Sequence, residues 1–281
     1  MKTIFYKFTS MKHSNIILLL IITVTFFACN NEQPKKENSK ANTDISKVTT
    51  KSKSDLKKLN IAGNIKSITE TYYYSTIKDG AIIKGNILSK KLMQFDKNGN
   101  QVELDNFNPK GDLEDKSSYK YDEDGKKIEY SNSKSDGSLD YKSTFRYDDH
   151  GNILVETANY TDGSLYYKAT YRYDSKGNQT EYVLYNLIGS QIKKITFSYN
   201  SQGLQIEENH YNDKNELTNN YTFKYDDKGN KTEHSAYNPD NSFKGSLTYK
   251  YEYDNSGNWV KKTTYKNDKP IEIIERVIEF Y

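Results

Sequence analysis

The sequence predicts an all-β fold: an elongated, twisted and curved antiparallel sheet of about 16 strands, built from 26-residue β-hairpin repeats. Three observations predict this architecture. A turn motif that begins with an aromatic residue and Asp recurs every 26 residues, the segments between turns alternate with a period of two, and tyrosine contributes 26 of the 281 residues. Because a tyrosine ring is apolar and its hydroxyl is polar, tyrosine suits the half-buried surfaces of a thin sheet.

The N-terminal residues have the layout of an export signal. Lys2, Lys7 and Lys12 precede the apolar run "IILLLIITVTFFA", which is too short to predict a membrane-spanning helix. The run ends at Cys29, the single cysteine of the chain, and residues 1–28 with this cysteine resemble a bacterial lipoprotein signal peptide. That resemblance implies that Cys29 is lipidated, becomes the mature N-terminus and anchors the protein to the outer membrane, on its periplasmic or its surface side.

Removal of the signal changes the charge balance, whether the signal begins at Met1 or at Met11. Residues 1–28 hold three lysines and no acidic residue, so the net charge of +3 for the full chain becomes zero, with 38 basic and 38 acidic residues. A balanced charge gives no reason to expect a nucleic-acid partner. Residues 29–59 are polar and almost free of large apolar side chains, which predicts a disordered tether between the lipid and a domain at residues 60–281.

The repeat is defined by two turn markers that keep the same period. The aromatic residue of the Tyr-Asp turns recurs at spacings of 26 residues, with a last spacing of 28. These aromatic residues are Phe95, Tyr121, Tyr147, Tyr173, Tyr199, Tyr225 and Tyr253. The second marker is glycine or asparagine, at Gly85, Gly111, Gly137, Gly163, Gly189, Asn215 and Asn241. Turns therefore alternate at intervals of 14 and 12 residues, which predicts one β-hairpin per repeat over about residues 87–262, with capping strands at 63–75 and 270–281.

The octet "FRYDDHGN", residues 145–152, shows why these motifs are interpreted as turns. Asp at the first position of a type I turn can accept a hydrogen bond from the backbone two residues on, and Gly at the fourth position adopts a positive φ without strain. Some copies replace the Asp or the final Asn, as at Asn200 and Leu204. A turn tolerates those replacements, whereas a metal site or a catalytic acid does not. We therefore predict no catalytic residue, no metal, no cofactor and no enzymatic activity. The histidines interpreted as exposed polar residues are His150, His210 and His234.

Residues that share a strand position form columns down the repeat. The residues two positions before each turn aromatic, which are aromatic except for Met93, lie on one face, whereas threonine and lysine columns lie on the other. Lysine and glutamate columns are expected to pair across neighbouring strands, each pair stabilising the sheet by roughly 0.2–1 kcal/mol. A bulge at each glycine would shift the register by one residue, so the sequence pattern allows the glutamate column to lie on either face. The glutamate column consists of Glu103, Glu129, Glu181, Glu207 and Glu233.

The motif Tyr-Asp-x-x-Gly with a preceding aromatic residue, as in "YKYDEDG" and "YRYDSKGN", resembles the YD repeats of Rhs-type proteins over about residues 87–262. The resemblance implies that the hairpins join into one long antiparallel sheet that coils up. It also implies an alternative function, a structural or immunity-type module related to the toxin systems of that family. An outer-membrane barrel is not expected, because Lys, Glu or Asn occupies mid-strand positions on both faces and leaves no apolar band for lipid.

The aromatic columns are the best candidates for function, because an amphipathic aromatic strip can stack on sugars or hold an extended peptide. The candidate ligand-binding residues, which lie away from the main aromatic column, are Tyr185, Tyr211, Tyr237 and Tyr265. The sequence therefore predicts a lipid-anchored, non-enzymatic protein of the cell envelope that binds a protein or glycan partner on an aromatic-rich sheet face.

Replacement of the predicted lipidated cysteine tests the anchor. We expect Cys29→Ala to release the protein from the membrane fraction, because a polar tether without a lipid has no means of attachment. Cell fractionation followed by immunoblotting measures the distribution, with the unchanged chain as the control. A Cys29→Ala variant that stays in the membrane fraction would show that the lipid is not the anchor.

Overall fold

The computed structural model describes residues 54–281, except for the side chain of Lys58. The predicted signal peptide, Cys29 and the tether up to residue 53 lie outside the described residues. The described chain begins with a short helix, α1 (Asp55–Lys58), and continues as strands. Within residues 54–281, no helix has the length and apolar character that a membrane span requires.

Sixteen antiparallel strands follow the helix, in agreement with the predicted number. They are β1 (Ile65–Lys78), β2 (Ala81–Phe95), β3 (Gln101–Phe107), β4 (Leu113–Tyr121), β5 (Lys127–Lys134), β6 (Leu139–Tyr147), β7 (Ile153–Tyr160), β8 (Leu165–Tyr173), β9 (Gln179–Tyr185), β10 (Gln191–Tyr199), β11 (Gln205–Tyr211), β12 (Leu217–Tyr225), β13 (Lys231–Tyr237), β14 (Phe243–Tyr253), β15 (Trp259–Lys266) and β16 (Lys269–Phe280). The predicted repeat therefore corresponds to one hairpin of the observed sheet and the turn to the next hairpin.

The sheet closes into a barrel, because each strand pairs with its neighbours in sequence and the first strand also pairs with the last. β1 lies antiparallel to β16. The pairing begins with Ile65 opposite Phe280 and ends with Tyr74 opposite Glu272. The all-β antiparallel class is confirmed, but the prediction of an open, elongated sheet is wrong. An open sheet would leave two rows of unpaired N–H and C=O groups. The twist and coiling of a large sheet bring its two edges together, and the backbone N–H and C=O groups of the two edge strands then form hydrogen bonds with each other.

A buried ion pair crosses the seam between β1 and β16. The Arg276 guanidinium contacts Oε1 of Glu70 through Nε and Nη2, each at 2.8 Å, and the two side chains are 8% and 9% exposed. The Tyr72 hydroxyl donates to Oε2 of Glu70 at 2.6 Å, and Arg276 stacks 3.3 Å from the ring centroid of Trp259. Burial acts to raise the pKa of Glu70, but the charge of Arg276 and the hydrogen bonds from Tyr72 and Arg276 outweigh it and lower the pKa. The seam therefore holds a charged carboxylate beside its cation.

The Tyr-Asp turns confirm the chemistry predicted for them. Oδ1 of Asp148 accepts hydrogen bonds from the backbone N–H groups of His150 and Asn152, and Oδ2 accepts one from the Asn152 side chain. Gly151 has a φ of 84°, and its N–H donates to the carbonyl of Asp148 at 3.1 Å. The backbone bonds persist where Asn200 replaces the Asp. We call the end of the barrel formed by these turns the Tyr-Asp rim. Its turns begin at Asp96, Asp122, Asp148, Asp174, Asn200, Asp226 and Asp254.

The turns that join successive repeats form the opposite rim. Asn215 and Asn241 adopt a positive φ, 61° and 64°, where most of these turns have glycine, which confirms them as turn markers. Gly85 is not a turn residue, so that part of the prediction is wrong. It lies inside β2, and the β1–β2 turn is formed by Asp79 and Gly80. A Cβ at Gly85 would lie 3.4 Å from atoms of the neighbouring strand, so glycine here permits a close approach.

The turn tyrosines fasten successive repeats to one another. The Tyr147 hydroxyl donates to the backbone carbonyl of Lys127, 20 positions earlier, at 2.6 Å. The same bond is made by Tyr121, Tyr199 and Tyr225. Where the spacing lengthens to 28 residues, Tyr251 makes this bond instead, and the Tyr253 hydroxyl donates to Asp226. The turn aromatics therefore have a structural role, since they link neighbouring turns.

The strand register assigns the repeat columns to the two faces of the wall. In β8, Tyr167 and Ala169 are buried whereas Lys168 and Arg172 are exposed, so the main aromatic column, two residues before each turn aromatic, faces inward and the lysine column faces outward. Glu181 lies opposite Arg172, which places the glutamate column on the outer face with the basic residues. Two ion pairs form there between the predicted columns, Lys116 with Glu103 at 2.9 Å and Lys142 with Glu129 at 3.5 Å. Basic residues outside the predicted lysine column make further pairs at 2.8 to 3.3 Å, between Lys120 and Glu129, Arg172 and Glu181, and Lys224 and Glu233.

The segment that precedes β1 crosses the Tyr-Asp rim. Leu56 bonds to the turn between β2 and β3, Asn60 bonds to the turn between β12 and β13, and Ala62 bonds to the turn between β14 and β15. These three turns lie on both sides of the β1–β16 seam. Residues 54–64 therefore lie over part of this mouth of the barrel and tie together turns that are far apart in sequence.

Loss of the carboxylate at the seam is expected to destabilise the barrel. Glu70→Gln leaves the buried Arg276 guanidinium without a charge partner, which costs about 3–5 kcal/mol of unfolding free energy. The matched control is Glu233→Gln, which breaks an outer-face pair with Lys224 and is expected to cost about 1 kcal/mol or less. Urea denaturation followed by circular dichroism measures both losses. Equal losses in the two variants would contradict a special role for the seam.

Candidate functional site

The structure places the four predicted ligand-binding tyrosines on the outer face, near the opposite rim. The residues are Tyr185, Tyr211, Tyr237 and Tyr265, on β9, β11, β13 and β15. Each is partly exposed, so the column is accessible to a partner. Lysine side chains lie over two of the rings: Lys194 Nζ is 4.5 Å from the ring centroid of Tyr211, and Lys250 Nζ is 5.1 Å from that of Tyr265.

These outer tyrosines do not form a continuous strip. They lie on alternate strands, about 9–10 Å apart, which is twice the spacing of neighbouring strands. Between Tyr185 and Tyr211, β10 contributes Lys194, which lies directly opposite Tyr211. Tyr237 packs instead against Phe243 of the following strand, with 5.7 Å between ring centroids. The column is a series of separate rings with cations between them, and its role in ligand binding stays a prediction.

A continuous row of tyrosine rings lies on the inner face. Consecutive ring centroids are 5.3, 5.8, 4.8 and 4.8 Å apart in the order Tyr119, Tyr130, Tyr141, Tyr166 and Tyr160. We call these five residues the tyrosine belt. The rings are tilted against one another by 44° to 52°, a favourable arrangement for aromatic pairs. The belt crosses β4 to β8 diagonally, from the Tyr-Asp end of β4 to the opposite end of β7 and β8.

Strand register and one bulge bring the rings of the belt together. Tyr130 lies opposite Tyr119, and Tyr160 lies opposite Tyr141, so each pair shares the inner face. A register shift in the β7–β8 pair leaves Tyr166 as the extra residue of a bulge. The bulge turns the Tyr166 ring towards both Tyr141 and Tyr160.

Both ends of the tyrosine belt are accessible. Tyr160 is 40% exposed at the opposite rim. Tyr119 lines a cleft of about 710 Å³ at the Tyr-Asp rim, between α1 and the turns that follow β2 and β4. Tyr141 at the centre is only 4% exposed, because the neighbouring rings cover it. A ligand would therefore contact the rings on either side of Tyr141, and Tyr141 would support them.

Hydrogen bonds hold the hydroxyl groups of this wall in place. The Tyr130 and Tyr141 hydroxyls lie 3.4 Å apart, and beside them Tyr167 and Tyr171 donate to the two oxygens of Glu156 at 2.6 and 2.7 Å. Burial and then the charge of Glu156 raise the pKa of Tyr167, so its hydroxyl remains a proton donor at neutral pH. The wall therefore combines apolar ring faces with fixed polar groups.

The histidines are separated in the barrel. His150 is exposed in its turn, as predicted, but His210 and His234 are half-buried on the inner face, so their predicted exposure is wrong. Their rings lie on either side of Tyr221, with centroids 5.1 and 5.2 Å from its ring, and Nε2 of His210 bonds to Glu208. Among residues 54–281, no group of three or more His, Cys, Asp or Glu side chains is arranged to hold a metal ion.

Comparison with known proteins finds similarity in the fold. No protein-family model and no curated protein sequence matches the chain. A porin-like protein from Bacteroides uniformis is similar with a TM-score of 0.52 at 12% identity, and the match covers 76% of this chain and 98% of that chain. A porin-like protein from Bacteroides vulgatus gives a TM-score of 0.46 at 11% identity, over 78% of this chain and 99% of that chain. A chain of the TcdB2-TccC3 structure gives 0.30 at 13% identity, over 66% of this chain and 12% of that chain.

The likeness to the Bacteroides uniformis protein concerns the fold alone, because only 12% of the residues are identical. It shows that this architecture occurs in a solved structure of nearly the same extent. The relation to YD repeats continues to rest on the sequence motif, since a TM-score of 0.30 adds no argument for it.

The tyrosine belt was not identified from the repeat, because most of its members do not recur. Tyr130 occupies a position that holds Leu104, Glu156 and His234 in other repeats, and Tyr160 stands where most repeats have asparagine or lysine. A search for recurrent columns therefore passes over them. The sequence feature that could have identified the belt is the local density of tyrosine, since 11 of the 26 tyrosines lie within residues 119–182.

Proposed function

We propose that the protein is held at the outer membrane by a lipid on Cys29 and binds an extended glycan along the tyrosine belt, without catalysing a reaction. The observation that supports binding is the unbroken row of five inner-face rings that reaches from one rim to the other. The envelope location is supported by the export signal and the single cysteine that ends it.

A glycan fits the belt better than a peptide does. Sugar rings have apolar faces and polar edges, which match the ring and the hydroxyl of tyrosine. An extended peptide is commonly held by main-chain hydrogen bonds to an open strand edge. Each strand of the belt, β4 to β8, is paired on both sides, so the belt offers no open strand edge.

The outer wall supports attachment through the lipid rather than through the strands. Rows of lysine, arginine and glutamate side chains cover it and form ion pairs across neighbouring strands. An outer-membrane barrel needs an apolar band on that face. In this proposal the barrel stands in water beside the membrane, and the polar segment before residue 54 links it to the lipid.

Replacement of the two accessible rings at the opposite rim tests glycan binding. Tyr160→Leu combined with Tyr166→Leu keeps apolar bulk but removes two stacking surfaces, and we expect about 1–3 kcal/mol of lost binding free energy, roughly a tenfold to hundredfold weaker affinity. An array of cell-envelope glycans identifies the ligand, and isothermal titration calorimetry with that glycan measures the affinities.

The outer column provides the matched comparison. Tyr185→Leu combined with Tyr211→Leu removes the same number of rings from the other face of the wall, and we expect the glycan affinity to stay within about twofold of that of the unchanged protein. Loss of glycan affinity in the outer variant alone would show that the glycan binds to the outer column and not to the tyrosine belt. Absence of binding to any glycan on the array would exclude the proposed ligand class.

A further inference from the structure

A second feature of the inner wall lies across the barrel from the tyrosine belt. The belt occupies β4 to β8, and strands eight positions apart in a closed ring of 16 face each other across the interior. The strands that face the belt are therefore β12 to β16. Their inner residues include Lys231 on β13, Lys262 on β15 and Arg276 on β16, which we call the inner cation cluster.

The two lysines of this cluster pack against aromatic rings. Lys231 Nζ lies 3.5 Å from the ring centroid of Phe223, and Lys262 Nζ lies 5.5 Å from that of Tyr249 and 5.7 Å from that of Trp259. Lys231 and Lys262 are both half-buried, so each keeps part of its surface open to the interior.

Among residues 54–281, neither lysine forms a salt bridge. Burial lowers the pKa of Lys231 to about 8, and the positive charge of Lys262 lowers it as well, whereas Glu208 acts to raise it. Burial also lowers the pKa of Lys262, whereas the charges of Glu70 and Glu272 act to raise it. Within the described chain, no carboxylate oxygen lies within salt-bridge distance of either Nζ. The wall therefore holds two lysines on whose Nζ atoms no carboxylate makes a direct contact.

The carboxylates nearest to the cluster have other partners. Glu70 accepts from Arg276 and from the Tyr72 hydroxyl, and Glu208 bonds to His210. Glu272 accepts from Thr264 Oγ1 at 3.3 Å. Each of these carboxylates therefore makes its hydrogen bonds to groups other than the two lysine Nζ atoms.

Arg276 adds an unsatisfied donor to the same region. Its Nε and Nη2 contact Glu70, but its Nη1 is buried with no hydrogen-bond partner. The guanidinium and Lys262 both lie against the ring of Trp259. Buried donors are nearly always bonded in proteins, so an orphaned one beside unpaired cations indicates a place for an acceptor from outside the chain.

We propose that the inner cation cluster binds the anionic group of a ligand, a carboxylate or a phosphate, beside the ring of Trp259. Lys231, Lys262 and the free Nη1 of Arg276 would donate charge-assisted hydrogen bonds to the anion, which acts as the counter-ion of the two lysines. The proposal requires an open interior but does not depend on glycan binding by the tyrosine belt, which lies on the other side of the barrel.

Trp259 makes the test direct, because it is the single tryptophan of the chain. The purified full-length protein is titrated in detergent with inorganic phosphate, with an oligogalacturonate and with a neutral maltooligosaccharide of the same length, and tryptophan fluorescence is recorded. We expect a saturable change with at least one anionic probe and none with the neutral one. Phosphate alone would identify phosphate as the bound group, and the oligogalacturonate alone would identify a carboxylated sugar.

Two variants test the assignment of residues. Lys262→Gln and Lys231→Gln should each weaken the binding of the effective anion about tenfold, because each removes one charge-assisted contact. The matched control is Lys261→Gln, on the outer face and paired there with Glu252 at 2.8 Å, which should bind as the unchanged protein does. Circular dichroism and thermal unfolding show whether each variant is folded. If Lys262→Gln does not fold, the anion affinity of Lys231→Gln tests the proposal.

Three results would overturn the proposal. They are the absence of a saturable response to both anions, an equal response to the neutral oligosaccharide, and unchanged anion affinity in the folded lysine variants. The Tyr160→Leu and Tyr166→Leu variant should keep the fluorescence response, because those rings lie across the interior. The experiments can therefore exclude glycan binding by the tyrosine belt and anion binding by the inner cation cluster independently of each other.

Discussion

Pairing of β1 with β16 gives this molecule an inside and an outside, and most other features depend on it. The two strands are far apart in sequence, and the buried contact between Glu70 and Arg276 joins residues 206 positions apart. In an open sheet both faces would meet water, and the aromatic columns would have no enclosed space to line. Closure places the tyrosine belt on one side of an interior and the inner cation cluster on the other. The local structure of the repeat is independent of closure, but the proposed sites are not.

Tyrosine serves two purposes in the same wall. The turn tyrosines donate their hydroxyls to carbonyls of the preceding turn, as Tyr147 does to Lys127, and so hold the repeats in register. These bonds use the polar end of the side chain and bury its ring. The belt tyrosines instead contact one another through their rings, and Tyr160 leaves an edge exposed at the opposite rim. A composition that is rich in tyrosine and poor in aliphatic residues therefore builds both a thin wall and a surface suited to ring-shaped, polar ligands.

Local features were predictable from the sequence, whereas the long-range ones were not. Strand number and turn chemistry at Asp148 follow from spacing and residue type within one or two repeats, as does the outer-face pair of Lys116 with Glu103. Closure depends on twist accumulated over all strands and on a contact such as Glu70 with Arg276 that leaves no periodic trace. The face of the glutamate column depended on a one-residue register shift at each turn. Of the candidate site, Tyr119 falls in a recurrent column, but Tyr130 and most of the belt arise where the repeat varies.

A disulfide across the seam measures closure directly. Thr69 and Val277 lie opposite each other on the outer face of β1 and β16, so Thr69→Cys with Val277→Cys, in a chain that also carries Cys29→Ala, should form an intrachain disulfide under mild oxidation. Faster migration on a non-reducing gel and mass spectrometry of the linked peptides report it. A second pair, Thr69→Cys with Thr170→Cys on the distant strand β8, should remain reduced. An intrachain link in the first pair alone supports the barrel, whereas free thiols or only intermolecular links in that pair would show that the sheet is open.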